Sequence, residues 1–367
     1  MEGARGISDW DLILAKDYCE SVRDGTHDTP KPVEQGGKPL VTSRHIKNGR
    51  VDLECAYHIS LEDFDKINER SRVDRWDVLM SMIGTVGECA MVKDTVDFAI
   101  KNLALFKMGG DETRAKWLYY YLKSPLGQGQ LRANHKGASQ QFISLAQLRN
   151  LEIPLPPLPV QRRIADILSA YDDLIENNRR RIAILEETAR LAYRKWFGGG
   201  EGRELPLAEV ADVLYGKDHK KIPDGDIPIF GSGGIMRYGA KAIYEQPSVL
   251  IPRKGTISNV MYVEEPFWTV DTMFYTRVKI PNMERILYYQ LCDYNIASMS
   301  TGAAVPSMTT AILNALQIVV PPSELRQRFD KAVSPMFEQC RILKKQSAAL
   351  AAARDMLLPR LMKGEVA

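Results

Sequence analysis

The chain has 367 residues, 45% hydrophobic and 26% charged, and its 49 Lys+Arg against 46 Asp+Glu leave a net charge of +3. It is long enough for two or three domains with real cores, and its near-balanced charge excludes a uniform cationic sleeve for nucleic acid. No apolar run approaches the roughly 18 residues a membrane span needs, and the start, MEGARGISDW, lacks the apolar core of a signal peptide, so a cytoplasmic protein without membrane contact is expected.

In chain order, residues 1–150 predict a globular α+β part. Short β-branched and aromatic runs (KPLVTSRHI, DVLMSMIG, DFAIKNLALF) alternate with Gly, Asp and Pro turns, and AKWLYYYLKS (115–124) reads as a helix. Residues 151–200 form a helical region that starts from IPLPPLPVQRRI (153–164). From there Ile164, Leu168, Tyr171, Ile175, Asn178, Ile182, Leu185, Ala189, Ala192 and Trp196 recur at steps of four and three, the spacing of a coiled-coil seam. Asn178 either fixes the register of that seam or faces water.

A second globular part, 201–320, carries IPIFGSGG, SVLIPRKG, FWTVDTMFYTRV and the helix RILYYQLCDY (285–294). A second helical region, 321–367, follows IVVPPSELRQRF with Phe329, Val333, Met336, Cys340, Leu343, Ser347, Leu350, Arg354, Leu357 and Leu361 in the same rhythm. Prolines suit a helix start, Ser323 is a plausible N-cap, and the glycines at 198–200 and Gly364 are plausible stops. Pro335 is expected to kink the second helix or delay its start.

These four regions are two copies of one plan. An offset of 302 − 137 = 165 aligns Gly137 with Gly302, Leu148 with Leu313, Pro156 and Pro157 with Pro321 and Pro322, and Arg163 with Arg328, without a gap. DVLMSMIGTVGECAMV (77–92) matches SVLIPRKGTISNVMYV (248–263) at offset 171, sharing Gly-Thr at 84/85 and 255/256. A single such helix would be read as packed on its own globular part. Two gap-free copies, the first about 57 Å long over 160–197, favour two helices packed on each other antiparallel.

Signatures of covalent chemistry are missing from the sequence: no GxxxxGK[ST], HExxH or GxSxG, no Asn-Pro-Pro-aromatic tetrapeptide, and five histidines and five cysteines without metal-ligand spacing. No metal site is expected. The GSGG at 231–234 is better read as a tight turn than as a phosphate cradle. Side chains able to reach base edges or phosphates concentrate instead in DGTHDTPK, TSRHIKNGR, KGASQQF, GKDHKK and PRKGTISN, where solvated turns are the competing reading. The candidates for DNA contact are Arg44, His45, Lys47, Ser81, Thr85, Ser139, Gln140 and Gln141 in the first part. In the second they are Lys217, His219, Lys220, Ser232, Arg253, Lys254, Thr256, Ser258 and Asn259.

The segments LRNLEIPLPPLPVQRRIADILSAYDDLIENNRRRIAILEETARLAYRKWF and LNALQIVVPPSELRQRF, with LAAARDMLLPRLMKGEV, resemble the specificity (S) subunit of Type I restriction-modification systems. DGTHDTP and PRKGTISNV look like variants seen in that family's recognition domains. The resemblance implies two α+β target recognition domains joined by two long antiparallel coiled-coil helices in a pseudo-two-fold tandem repeat. Each domain would read half of a split, asymmetric double-stranded DNA site, and the coiled coil would set the spacer. Two modification (methyltransferase) subunits would dock on it, with restriction (motor-nuclease) subunits added. S-adenosylmethionine, ATP and Mg would belong to those partners, with no cofactor on this chain, which would not be an enzyme on its own. The first helical region departs from the family in having Pro-Val-Gln-Arg-Arg where an acidic pair often precedes the Gln. Alternatives are a protein-binding coiled-coil scaffold, or the specificity subunit of a Type IIB-like or solitary methyltransferase.

Overall fold

The computed structural model describes residues 10–133, 142–294, 296 and 307–365. The chain forms two compact units, Met1–Asn178 with Lys345–Ala367, and Arg179–Lys344. Each is α+β.

In the first unit β1 (Asp11–Leu14), α1 (Ala15–Tyr18) and β2 (Ser21–Asp24) lead to β3 (Lys38–Val41) and then to a hairpin of β4 (Ile46–Lys47) and β5 (Arg50–Val51). After β6 (His58–Ile59) and α2 (Leu61–Ser71) come β7 (Val78–Ser81), β8 (Cys89–Met91), β9 (Ala99–Ile100) and β10 (Leu103–Lys107). Helices α3 (Glu112–Lys123), α4 (Pro125–Ala133) and α5 (Leu145–Arg149), then β11 (Glu152–Leu155), precede the long α6 (Leu158–Phe197). The main sheet has the order β2-β10-β7-β8 and is antiparallel, whereas β3 pairs parallel with β9 and antiparallel with β6.

The second unit repeats this framework with β12 (Arg203–Pro206), α7 (Leu207–Val210), β13 (Ala211–Tyr215), β14 (Ile227–Gly231) and β15 (Gly234–Gly239). Next are β16 (Ser248–Pro252), β17 (Met261–Val263), β18 (Trp268–Thr269) and β19 (Met273–Val278). Helices α8 (Glu284–Asp293) and α9 (Thr310–Asn314), strand β20 (Gln317–Val320) and the start of the long α10 (Ser323–Met362), which belongs to this unit as far as Lys344, complete it. Its main sheet, β13-β19-β16-β17, and its smaller sheet, β15-β14-β18, match those of the first unit in order and direction.

The first core forms around α3, where Trp117 to Leu122 are all buried. A helix buried on every side is stable only if its polar tips find partners. Trp117 Nε1 donates to the Pro154 carbonyl at 3.0 Å, Tyr121 Oη to that of Glu152 at 2.8 Å, and Tyr120 Oη to Asp172 Oδ2 at 2.7 Å. In the second unit Gln290 of α8 does the equivalent work, donating to Val319 O at 2.7 Å and accepting from Val319 N–H at 2.9 Å.

The two Pro-Pro pairs each close a strand and open a helix. The Pro157 and Pro322 carbonyls accept the first helical N–H bonds, from Gln161 and Arg326, both at 3.1 Å. The side chains of Gln161 and Arg326 fold back onto Pro156 O (2.8 Å) and Pro321 O (2.6 Å), so two unlike residues 165 apart lock the same corner. The cap position is therefore Pro322; Ser323 is the first residue inside the helix. Pro335 neither delays nor interrupts α10: it is exposed, and so is Lys331, whose carbonyl loses the Pro335 N–H as partner.

Within the first unit α6 and α10 run antiparallel. Ile164 and Leu168 share a core with Leu358 and Leu361, Arg354 pairs with Asp172, and Asn178 Nδ2 donates to Ser347 Oγ at 3.3 Å. Asn178 is buried, so it does not face water. Within the second unit Cys340 Sγ approaches Ile182 O at 3.9 Å, and Tyr193 and Trp196 meet Phe329 edge-on at 6.4 and 6.0 Å. The seam positions Tyr171, Ile175, Leu185, Met336, Leu350 and Leu357 are half-buried, and Val333 and Leu343 are buried.

Candidate nucleic-acid interface

The shared Gly-Thr pair has a backbone cause. Gly84 and Gly255 adopt φ of +79° and +83°, the left-handed region, at the end of β7 and of β16. Each turn is then tied to the segment before the last short helix, by the bridges Ile83↔Phe142 and Lys254↔Ser307. A second equivalence is invisible in the offsets. At Gly25 and Gly216, after β2 and β13, an added Cβ would lie 2.4 Å from Ile100 O and 2.1 Å from Val270 O, so only glycine lets the chain turn there. Their offset is 216 − 25 = 191, and 191 − 171 = 20 residues is the excess the first unit holds before β7.

In the second unit the loops leaving β13, β14 and β16 converge. The Arg253 guanidinium lies 5.4 Å from the Tyr215 ring centroid, a cation–π contact. Lys217 O accepts from Trp268 Nε1 at 2.9 Å, and Ser232 O accepts from Asn259 Nδ2 at 2.8 Å. Lys217, Lys220, Lys254, Thr256 and Ser258 are exposed around them. His219 is half-buried: its ring Nδ1 sits 3.2 Å from Arg237 Nε, and its carbonyl accepts from Arg237 Nη2 at 2.6 Å. The Lys220 backbone N–H, which donates to Asp218, holds the Asp218 carboxyl below its ordinary range, so that acid keeps its charge among the lysines. GSGG is a hairpin turn, with Ser232 and Gly233 between β14 and β15.

The first-unit candidates are spread more widely. Arg44 is exposed in a 3-10 turn at Ser43–His45, but His45 is buried, its Nδ1 accepting from Thr42 N–H at 2.9 Å. Lys47 is exposed on the β4–β5 hairpin, where its hydrogen bond to Asp52 (2.9 Å) raises its pKa. Ser81 is fully buried, bonding Thr85 O and accepting from Glu88 N–H at 3.0 Å; Thr85 itself is exposed. Ser139, Gln140 and Gln141 lie outside the described residues. Sequence reasoning passed over Tyr215, Ile235, Met236, Arg237 and Tyr238. For the last four the signal is GIMRYG (234–239), in which apolar residues flank an arginine next to a Gly-rich turn.

The model of the type I restriction modification DNA specificity domain family matches residues 7–187 and 204–352. The chain is 23% identical to the type I restriction enzyme MjaIX specificity subunit of Methanocaldococcus jannaschii, over 98% of this chain and 94% of that one. Over 46% of this chain and 39% of the relative it is 26% identical to the EcoBI specificity subunit of Escherichia coli. The crystal structure of a type I restriction-modification S subunit from M. genitalium superposes with a TM-score of 0.60 at 18% identity, covering 96% of each chain, a likeness of fold. With two copies of the family domain spanning nearly all of its length, this chain belongs to the type I restriction modification DNA specificity family and is the sequence-specificity subunit of a type I restriction-modification system.

Proposed function

We propose that each unit reads one half of a bipartite, asymmetric double-stranded DNA site, and that the paired helices set the spacer and dock two modification subunits. The observation that carries this reading is the contrast between a framework repeated strand for strand and loops that are not repeated. A 3-10 turn, a hairpin and α2 lie between β3 and β7 in the first unit, where the second has only a tight hairpin and a short loop before β16. Constant framework with variable loops is how one fold comes to read two sequences. The modification subunits would bring S-adenosylmethionine for adenine N6 methylation, and restriction subunits ATP and Mg; this chain would position them and do no covalent chemistry.

The test is long-read methylation mapping with the full chain and its modification subunit, followed by replacement of residues 201–316 with those of another family member. One half-site should change while the other and the spacer stay. No site-specific methylation, or both halves changing together, would sink the reading and favour a protein-binding scaffold. Arg253→Ala adds resolution: relaxation at one base position, at a cost of about 1–3 kcal/mol, marks guanine contact, whereas an even loss across sequences marks a phosphate.

A further inference from the structure

In the second unit an apolar surface lies where the basic loops meet. On β15 and at the end of β13, Ile235 (50% exposed), Met236 (58%), Tyr238 (50%) and Tyr215 (49%) stand in solvent. Single exposed apolar residues need no explanation, but three in four positions on one strand do. Their exposure has a structural cause: pairing shifts between Ile229 and Phe230, a bulge that leaves Met236 as the extra residue and turns it outward beside Ile235.

The hairpin is held in place. Arg237, between Met236 and Tyr238, donates to the carbonyls of His219 (2.6 Å) and Ile222 (2.9 Å) and pairs with Asp224 (3.2 Å). The turn at Ser232 is clamped by Asn259 (2.8 Å) and lies so close to Gly255 that a Cβ there would be 2.6 Å from Ser232 Oγ. A bulged edge strand pinned at both ends resists pairing with another chain and spends little entropy on binding. The clamps also fix it beside the exposed Lys217, Lys220, Lys221 and Lys254; exposed Asp218, Asp224 and Asp226 lie among them, Asp224 matched by Arg237, so cations outnumber acids around the hairpin, as contact with a polyanion requires.

We infer that the β14–β15 hairpin enters the major groove and reads thymine C5-methyl groups through Ile235 and Met236, with Tyr238 flanking. This rests on the DNA-reading function above and adds a ligand chemistry to it. The major groove admits a two-stranded ribbon, and the thymine methyl is the only apolar group its base edges offer. In the first unit the corresponding strands β3 and β6 are separated by residues 42–57, which present Arg44 and Lys47, so the inference concerns the second half-site alone.

The experiment uses the full chain with its modification subunit and a duplex carrying the mapped site, each thymine replaced in turn by uracil, which lacks only the methyl. Uracil should weaken binding about fourfold per methyl at one or two positions, all in one half-site. In I235A/M236A those positions should become indifferent to uracil, while the other positions and non-specific binding stay as they were. Uracil sensitivity unchanged in I235A/M236A, or absent throughout, overturns the inference. So does a variant that binds DNA normally but fails to assemble with the modification subunit, which would make the patch a protein contact. Failure of the natural site to be bound specifically would instead overturn the DNA-reading function itself. Both side chains are at least half exposed, so the variant is expected to fold, and an unchanged thermal midpoint checks this.

Discussion

Asp77 and Ser248 occupy the same place in the repeat, both fully buried, and solve burial differently. Ser248 exchanges neutral hydrogen bonds with the Thr276 backbone, donating to its carbonyl at 2.7 Å. Asp77 is ion-paired with Lys107 at 2.7 Å and accepts from the backbone N–H groups of Asp74 and Met108; burial still holds its carboxyl above the ordinary range. Lys107→Met should therefore cost about 3–5 kcal/mol, because it strands a buried charge, whereas Ser248→Ala should cost about 1–3. The sign of the pH dependence follows. A raised folded pKa favours the protonated form, so the K107M deficit in denaturant titrations should shrink as pH falls towards the unfolded carboxyl value and grow as pH rises. A deficit independent of pH would point to lost packing alone. Burial also pushes the Cys19 and Cys89 thiols up to about 12, while Cys55 is exposed. Cys55 should be alkylated first in the native protein, as peptide mapping after a short iodoacetamide pulse would establish.

Turns and helix joints carry the next level. Gly84→Ala should cost about 1 kcal/mol for its left-handed φ alone, since nothing lies within 4 Å of the new Cβ. Gly255→Ala adds a collision with Ser232 Oγ, so its loss should be larger and should spread to DNA affinity. Equal stability losses with unchanged DNA binding would detach the Gly255 turn from the hairpin. In the helix pair, Asn178→Ala leaves Ser347 short of one partner, and a double-mutant cycle with Ser347→Ala should show a coupling of about 1 kcal/mol. Periodicity makes these helices legible in the sequence: hydrophobic spacing, paired prolines and closing glycines are local signals. The lock at each helix start was not legible, because glutamine and arginine share no pattern beyond the ability to donate to a carbonyl.

For the whole molecule, α6 and α10 are 40 residues each, about 60 Å at 1.5 Å per residue, or at most about 18 base pairs of DNA. One heptad inserted into both helices should lengthen the spacer in methylation maps and leave both half-sites intact; altered half-sites with an unchanged spacer would refute the ruler. By itself the sequence determined the tandem plan, the α+β class, both long helices and the family, because repeats, periodicity and turn residues are properties of neighbours along the chain. Tertiary structure alone decided which polar loop residues are available. His45 and Ser81 look like their exposed neighbours in sequence, yet they are spent on internal hydrogen bonds, whereas Ile235 and Met236 look like core and are turned outward by a bulge. The partners at these positions are near in the chain, Thr42 for His45 and Thr85 and Glu88 for Ser81, but whether a side chain meets them is set by the path of a turn or a bulge, which residue type alone does not encode.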